Sequence, residues 1–224
     1  MYQGEVTDSQ SPMPERADAP LSVELKRVAR LLIAERGVRS VTVREIATAA
    51  GQRNLGIVAY YFGTKDKLIR EILIDGAERI EARRGEYLAA LEAKRGPKNV
   101  REAVAAIVLP AAAFSDEDRL YGSGFNRFLL QLSLSDSRLI DETLAGRGNQ
   151  NYQRCLSHLR KLLPHLTRTQ QNRRFVFLGS YVSGLLAARE TVLADAGGAH
   201  PTWRSPETLA DIVTTASAAL EAEA

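Results

Sequence analysis

His158, His165, His200, Cys155 and the triplet Asp116-Glu117-Asp118 are the residues of this chain whose types bring catalysis or metal binding to mind. No two of the histidines stand four apart, the spacing that presents two imidazoles to zinc from one helix face. They therefore read as ordinary surface or core histidines. Cys155 shares an apolar helical face with Leu156 and Leu159, which fits a buried thiol better than a redox sensor. The acidic triplet reads as a charge cluster at a helix start rather than paired catalytic carboxylates. No phosphate-cradling glycine loop, dinucleotide fingerprint or evident nucleophile–base–acid triad is present. Nothing here supports an enzyme, and neither a metal nor a cofactor is expected.

A different chemistry gathers between Thr42 and Leu68, TVREIATAAGQRNLGIVAYYFGTKDKL. Arg53 can make a bidentate contact to guanine, and Gln52 or Asn54 can do the same to adenine. Ile57 and Ala59 could meet thymine methyls, the apolar feature of the major groove. Gly56 would let the backbone come close to a duplex. Thr42 and Arg44 could clamp phosphate through a helix start and a positive charge, fixing register rather than choosing sequence.

Short helices must hold these groups. Thr42 and Glu45 have capping-box spacing, so a second helix starts at Thr42 and buries Ile46, Ala47 and Ala50. Gly51 ends it, and a third helix follows over about Asn54–Tyr61, with Val58 and Phe62 turned inward. Asn54 is placed equally well to cap that helix. Ahead of them, a first helix over Val23–Arg36 places Leu25, Val28, Ala29 and Leu32 on one face, with Ser22 as its cap and Gly37 as its stop. Two short helices joined by a glycine turn make a helix-turn-helix, whose second helix enters the major groove.

The run Thr42-Val43-Arg44-Glu45-Ile46-Ala47, then Ala50-Gly51, then Tyr60-Tyr61-Phe62-Gly63-Thr64-Lys65-Asp66-Lys67-Leu68 resembles the N-terminal domain of TetR-type transcriptional regulators. The resemblance covers about residues 21–70. It implies that the Tyr60 and Tyr61 hydroxyls and the Lys65 ammonium meet phosphates. Lys65 in the first turn of a helix is otherwise disfavoured by the dipole. One departure stands out: Gly51 to Phe62 spans eleven residues where the family has ten. The extra residue falls in Gln52-Arg53-Asn54. Asn54, Val58, Tyr60 and Phe62 match a subgroup with an "N-x-x-x-V-x-Y-x-F" recognition helix.

Beyond Leu68 the chain keeps helical periodicity throughout, so the fold is all-α: a small helix-turn-helix domain followed by a larger helical ligand-binding and dimerisation domain. A long fourth helix, capped by Thr64, should end at Arg95-Gly96-Pro97. A helix from Asn99 to about Phe114 contains Pro110, where a kink is expected. The next should start at Ser115 or Asp116 and align Tyr121, Phe125, Phe128, Leu129 and Leu132. After a break at Gly146-Arg147-Gly148-Asn149 comes a helix with Tyr152, Cys155, Leu156, Leu159 and Leu163, closed by Pro164. Thr167 and Gln170 repeat the capping-box spacing, Ala196-Gly197-Gly198 and Pro201 form a loop, and the last helix begins at Pro206. Gly179, Ser183 and Ala187, four apart, would let a neighbouring helix approach closely. Residues 1–20 read as a disordered arm whose Arg16 could reach a minor groove. The expected divisions are 1–20, 21–68 and 69–224.

Net charge is +3, with one basic and four acidic residues in 1–20 and eleven against eight in 21–81. This mild excess fits nucleic acid contact without demanding it. The longest apolar run, Ala103–Phe114, is too short to span a bilayer. With one cysteine and no secretory signal visible, the expected setting is the cytoplasm. The resemblance implies a homodimer joined through the last two helices, acting on a double-stranded DNA operator as a repressor released by a small-molecule effector. That effector would sit in the helical body, where Phe114, Tyr121, Phe125 and Phe128 could line a cavity. Arg127 could pair with an anionic effector, although its place on the helix favours water. The alternative is a helical module of the same fold that acts through a protein partner without an effector.

Overall fold

The computed structural model describes residues 19–146, 148–195 and 200–223, and within them ten helices and no strand. α1 (Ala19–Arg36), α2 (Val43–Ala49), α3 (Ile57–Phe62) and the start of α4 (Lys65–Glu92) form the head. α5 (Val100–Glu117), α6 (Phe125–Leu144), α7 (Gln150–Leu162), α8 (Arg168–Asp195), the short α9 (Pro201–Arg204) and α10 (Pro206–Glu221) complete the body. The expected arm and Arg16, Arg147 and the Ala196-Gly197-Gly198 loop lie outside the described residues.

Local chemistry accounts for most helix ends. Thr42 Oγ1 accepts from the Glu45 N–H while the Glu45 carboxylate accepts from the Thr42 N–H, a complete capping box. Thr167 and Gln170 repeat the arrangement ahead of α8. Thr64 and Asn99 cap α4 and α5. Four boundaries differ from expectation. α1 begins at Ala19, so Ser22 lies inside it, because Pro20 suits a first turn where no N–H is needed. α3 begins at Ile57, three residues late, because Asn54 Oδ1 accepts from the Gly56 N–H and holds the chain in a turn. α5 runs through Pro110 to Glu117, and the recorded interruption lies instead in α6 at Asp136 (φ −160°, ψ 72°), whose carboxylate caps the second half through the Leu139 N–H. Ser115 and Asp116 end α5 rather than start α6, which opens at Phe125 after a loop containing Tyr121. The acidic triplet therefore sits at a helix C-terminus, an unfavourable place that ion pairs to Arg189, Arg83 and Arg79 offset.

Two apolar clusters form the core. One joins α4, α5, α7, α8 and α10 around Val104, Ala106, Leu159, Leu178 and Ile212. The other joins the head to the end of α5 and to α6: Leu25, Ala29, Ile46, Val58 and Leu68 share it with Phe114, Phe125, Phe128 and Leu132. Packing is thus continuous from head to body across Leu68. Gly76 makes one close approach possible, since a Cβ there would fall 2.0 Å from the Phe125 ring. Cys155 is fully buried, and burial pushes its thiol up to about 11.

Buried polar groups tie helix ends together. Glu81 on α4 accepts from the Asn151 and Tyr152 N–H groups at the start of α7 and pairs with Arg84. Glu190 on α8 does the same for α6: it accepts from the Arg127 N–H at 2.9 Å and from Ser115 Oγ. Arg127 accordingly turns inward, its Nε 3.6 Å from Glu190, rather than facing water as expected. Arg30 on α1, 2% exposed, donates to the Ser123 and Leu120 carbonyls, both at 2.8 Å.

Candidate nucleic-acid interface

The interface starts from what α3 leaves outside. Val58 and Phe62 are buried in the head core, and the opposite side of the helix presents Ala59 and Tyr60. Tyr60 is 61% exposed, the most open aromatic ring on the head, and stands edge-on to Tyr61 at 5.2 Å. Tyr61 is half-buried. Ile57 is also half-buried, while Gly56 is open. In the α2–α3 turn Gly51 takes φ +71°, a left-handed conformation that favours glycine, and this turns the chain between the two helices.

The turn residues separate into held and free. Gln52 is half-buried and donates to the Ala50 carbonyl at 3.1 Å. Asn54 accepts from Gly56, so its carbonyl oxygen is engaged in the turn and its amide is the group left for a base. Arg53 is exposed and forms no salt bridge among the described residues. Thr42 is exposed, but its hydroxyl already donates to the Glu45 carboxylate. Arg44 is exposed and forms no salt bridge among the described residues. Lys65 differs from the expectation of a free phosphate contact: its ammonium donates to the Val38 carbonyl, joining α4 to the α1–α2 turn. Burial lowers its pKa.

Two cations were not singled out in the sequence. Arg39 in the α1–α2 turn and Lys67 in the first turn of α4 are exposed and form no salt bridge among the described residues. Their signal was available as charge flanking the helix pair. By contrast, head cations turned sideways are paired: Lys26 with Asp75 at 2.8 Å and Glu71 at 3.2 Å, Arg36 with Glu45 at 3.0 Å, Arg70 with Glu142 at 3.0 Å. The head therefore exposes Arg39, Arg44, Arg53 and Lys67, with no salt bridge to any of them among the described residues, and exposes Tyr60 as well.

Residues 26–72 match the family described as bacterial regulatory proteins, tetR family. The N-terminal domain is of the tetR family. The matched segment takes in α2, α3 and the start of α4, and with them the candidate contacts from Thr42 to Lys65. The whole fold resembles that of a solved Rhodococcus sp. structure described as a TetR-family transcriptional regulator, with a TM-score of 0.53 and 16% identity, covering 90% of this chain and 97% of that one. None of the curated proteins matches the sequence.

Behind this TetR-type head, the aromatics suggested for an effector cavity are tightly packed. Phe114, Phe125 and Phe128 are fully buried, with ring centroids 5.3 Å apart for Phe114–Phe125 and 5.8 Å for Phe125–Phe128. Tyr121 lies half-buried under the Arg79 guanidinium, 3.6 Å from the ring centroid. No described group of three or more His, Cys, Asp or Glu side chains is arranged to hold a metal.

Proposed function

We propose that this TetR-family regulator is a homodimeric repressor that reads a quasi-palindromic operator and is released by a small-molecule effector. The observation that carries the DNA reading is the exposed set Arg39, Arg44, Arg53 and Lys67, without a salt bridge among the described residues, on a head whose other cations are ion-paired or, for Arg30 and Lys65, bonded to backbone carbonyls. Unpaired surface cations displace counterions from a phosphate backbone at little desolvation cost. Arg53, with the Asn54 amide and Gln52, supplies base contacts. Tyr60, Tyr61, Thr42, Arg44 and Lys65 supply positioning contacts, with Gly56 and Ile57 against the groove floor. Lys65 has N–H groups to spare beyond the one given to Val38.

Support for the dimer comes from α8 and α10. α8 buries Phe175, Leu178, Val182 and Leu186 but leaves Val176 66% and Phe177 61% exposed, with Tyr181 at 39%. Beside them α10 exposes the small residues Thr214, Thr215 and Ala218. α8 is the one described helix long and apolar enough to cross a membrane. Its division between a buried and an exposed apolar side suits a helix shared by two cores. Two heads so joined would meet major grooves about 34–36 Å apart. Effector release is supported by the bonded route from the head to α8: Arg30 to the α5–α6 loop, and Glu190 to the start of α6. An effector acts by binding better the body geometry that spaces the heads wrongly. The Phe114–Phe125–Phe128 packing would have to open, or the effector enter elsewhere in the body.

The deciding test is Arg53→Ala on a cognate site. A loss of about 1–3 kcal/mol that relaxes one base preference is expected. An equal loss on every duplex would make Arg53 a phosphate contact and remove it from sequence reading.

A further inference from the structure

From Thr143 to Arg189 the sequence holds eight Arg and Lys residues and no Asp or Glu. Three of these cations find partners elsewhere: Arg154 pairs with Glu92, Arg189 with Asp116, and Arg174 donates to the Leu220 carbonyl. Arg160, Lys161 and Arg168 do not form salt bridges among the described residues, and they converge on an open cleft of about 600 Å³ between α7 and α8. Ser157, Gln153 and Gln171 complete its polar lining, and no carboxylate among the described residues lines it.

The wall of this cleft is held in place. Gln171 is buried and donates to the Arg160 and Leu163 carbonyls, fixing the start of α8 to the end of α7. The Arg160 guanidinium lies over the Phe175 ring at 4.8 Å and donates to Asn172 Oδ1 at 2.9 Å and to Gln171 Oε1. Two of its five donor N–H groups are thereby used on neutral acceptors, and the plane is set for a bidentate contact. Arg168 occupies the first turn of a 28-residue helix whose first turn has no acid, so the positive end of the dipole adds to the local field. Burial, and after it the charge of Arg168, lowers the pKa of Arg160, a sign that like charges crowd here.

We infer that the α7–α8 cleft is a binding site for a small, multiply charged anion, of the phosphate-ester or polycarboxylate class, held by Arg160, Lys161 and Arg168. Its size falls within the range of small-molecule sites. The site is built from α7 and α8 and takes no residue from the head, so it does not rest on the DNA-binding reading: a protein that failed to bind any operator could still take an anion here.

Isothermal titration of the full chain with pyrophosphate at low ionic strength tests it. One saturable site per chain is expected, weakened at least about tenfold in Lys161→Gln/Arg168→Gln, whose side chains are exposed and whose loss should leave the melting temperature unchanged. Arg173→Gln, an exposed cation outside the cleft, and Arg44→Gln/Arg53→Gln on the head should both bind pyrophosphate as the parent does. Citrate in place of pyrophosphate separates the two anion sources. Absence of saturable binding to either probe overturns the inference, as does an equal loss in the Arg173 variant or a loss confined to the head variant. A flattened salt dependence of duplex binding in Lys161→Gln/Arg168→Gln would also overturn it, by making the cleft a DNA surface.

Discussion

Replacing Arg30 by Met removes the most deeply buried link between head and body while keeping side-chain length and apolar bulk. Arg30 is 2% exposed, and its two bonds to the Ser123 and Leu120 carbonyls are each 2.8 Å. Charged hydrogen bonds of this kind contribute about 1.5–3 kcal/mol each, so truncation forfeits roughly 3–6 kcal/mol. Against this, burial lowers the Arg30 pKa from 12.5 to about 10. At about 1.4 kcal/mol per unit, the methionine variant recovers roughly 3 kcal/mol of desolvation. Taken at the middle of that range, the balance is a loss of about 1–2 kcal/mol. Urea denaturation should show it as a lower midpoint at unchanged slope. Hydrogen exchange should show where it arises: the Gly122 and Ser123 amides, both bonded to the Asp118 carbonyl, should exchange faster. Arg30→Lys, which keeps the charge but not the fork, should fall between. A midpoint unchanged within about 0.5 kcal/mol, with the loop amides still protected, would refute the claim that Arg30 carries this contact.

Two other outcomes follow from the same buried groups and from the open face of α8. Burial raises the Glu190 pKa against the opposing pull of Ser115 and the α6 N–H groups. Its protonated form is therefore the better tolerated one in the fold, and its stabilising share is complete below the unfolded carboxyl value and lost as pH rises through the folded one. Glu190→Gln should flatten the pH dependence of the melting temperature across the window above about pH 4.5; parallel curves for parent and variant would contradict this. Phe177→Asp should leave the monomer folded, since the ring is 61% exposed, and convert a dimer to a monomer in analytical ultracentrifugation. A dimer that survives the change would move the interface away from α8.

Legibility in the sequence followed the range of the interaction. The two capping boxes, Thr42/Glu45 and Thr167/Gln170, were readable because three residues suffice to make them. The tyrosine pair and the glycine turn were readable for the same reason. The late start of α3 was missed although its cause is local, because Asn54 has two competing local uses, capping a helix and closing a turn, and spacing does not choose between them. Arg127 was misplaced because its partner Glu190 is 63 residues away, and a helical wheel sees no such partner. The capping of α7 by Glu81, 70 residues back in the chain, was invisible on the same ground. Lys65 was expected to meet a phosphate, and the sequence held no sign that a carbonyl 27 residues earlier takes its ammonium. Arg53 and Tyr60 are exposed and meet no distant side-chain partner among the described residues, so nothing far along the chain had to be foreseen to place them at the surface.

The central claim, that the head reads DNA sequence, is tested most directly by fluorescence anisotropy on two duplexes of equal length. One carries a palindromic fragment taken from the promoter upstream of the chain's own gene, and the other is random, each titrated across a range of salt. Preference for the palindrome by at least about a thousandfold, with both affinities falling steeply as salt rises, is the predicted result. Equal affinity for the two duplexes at every salt concentration would contradict it.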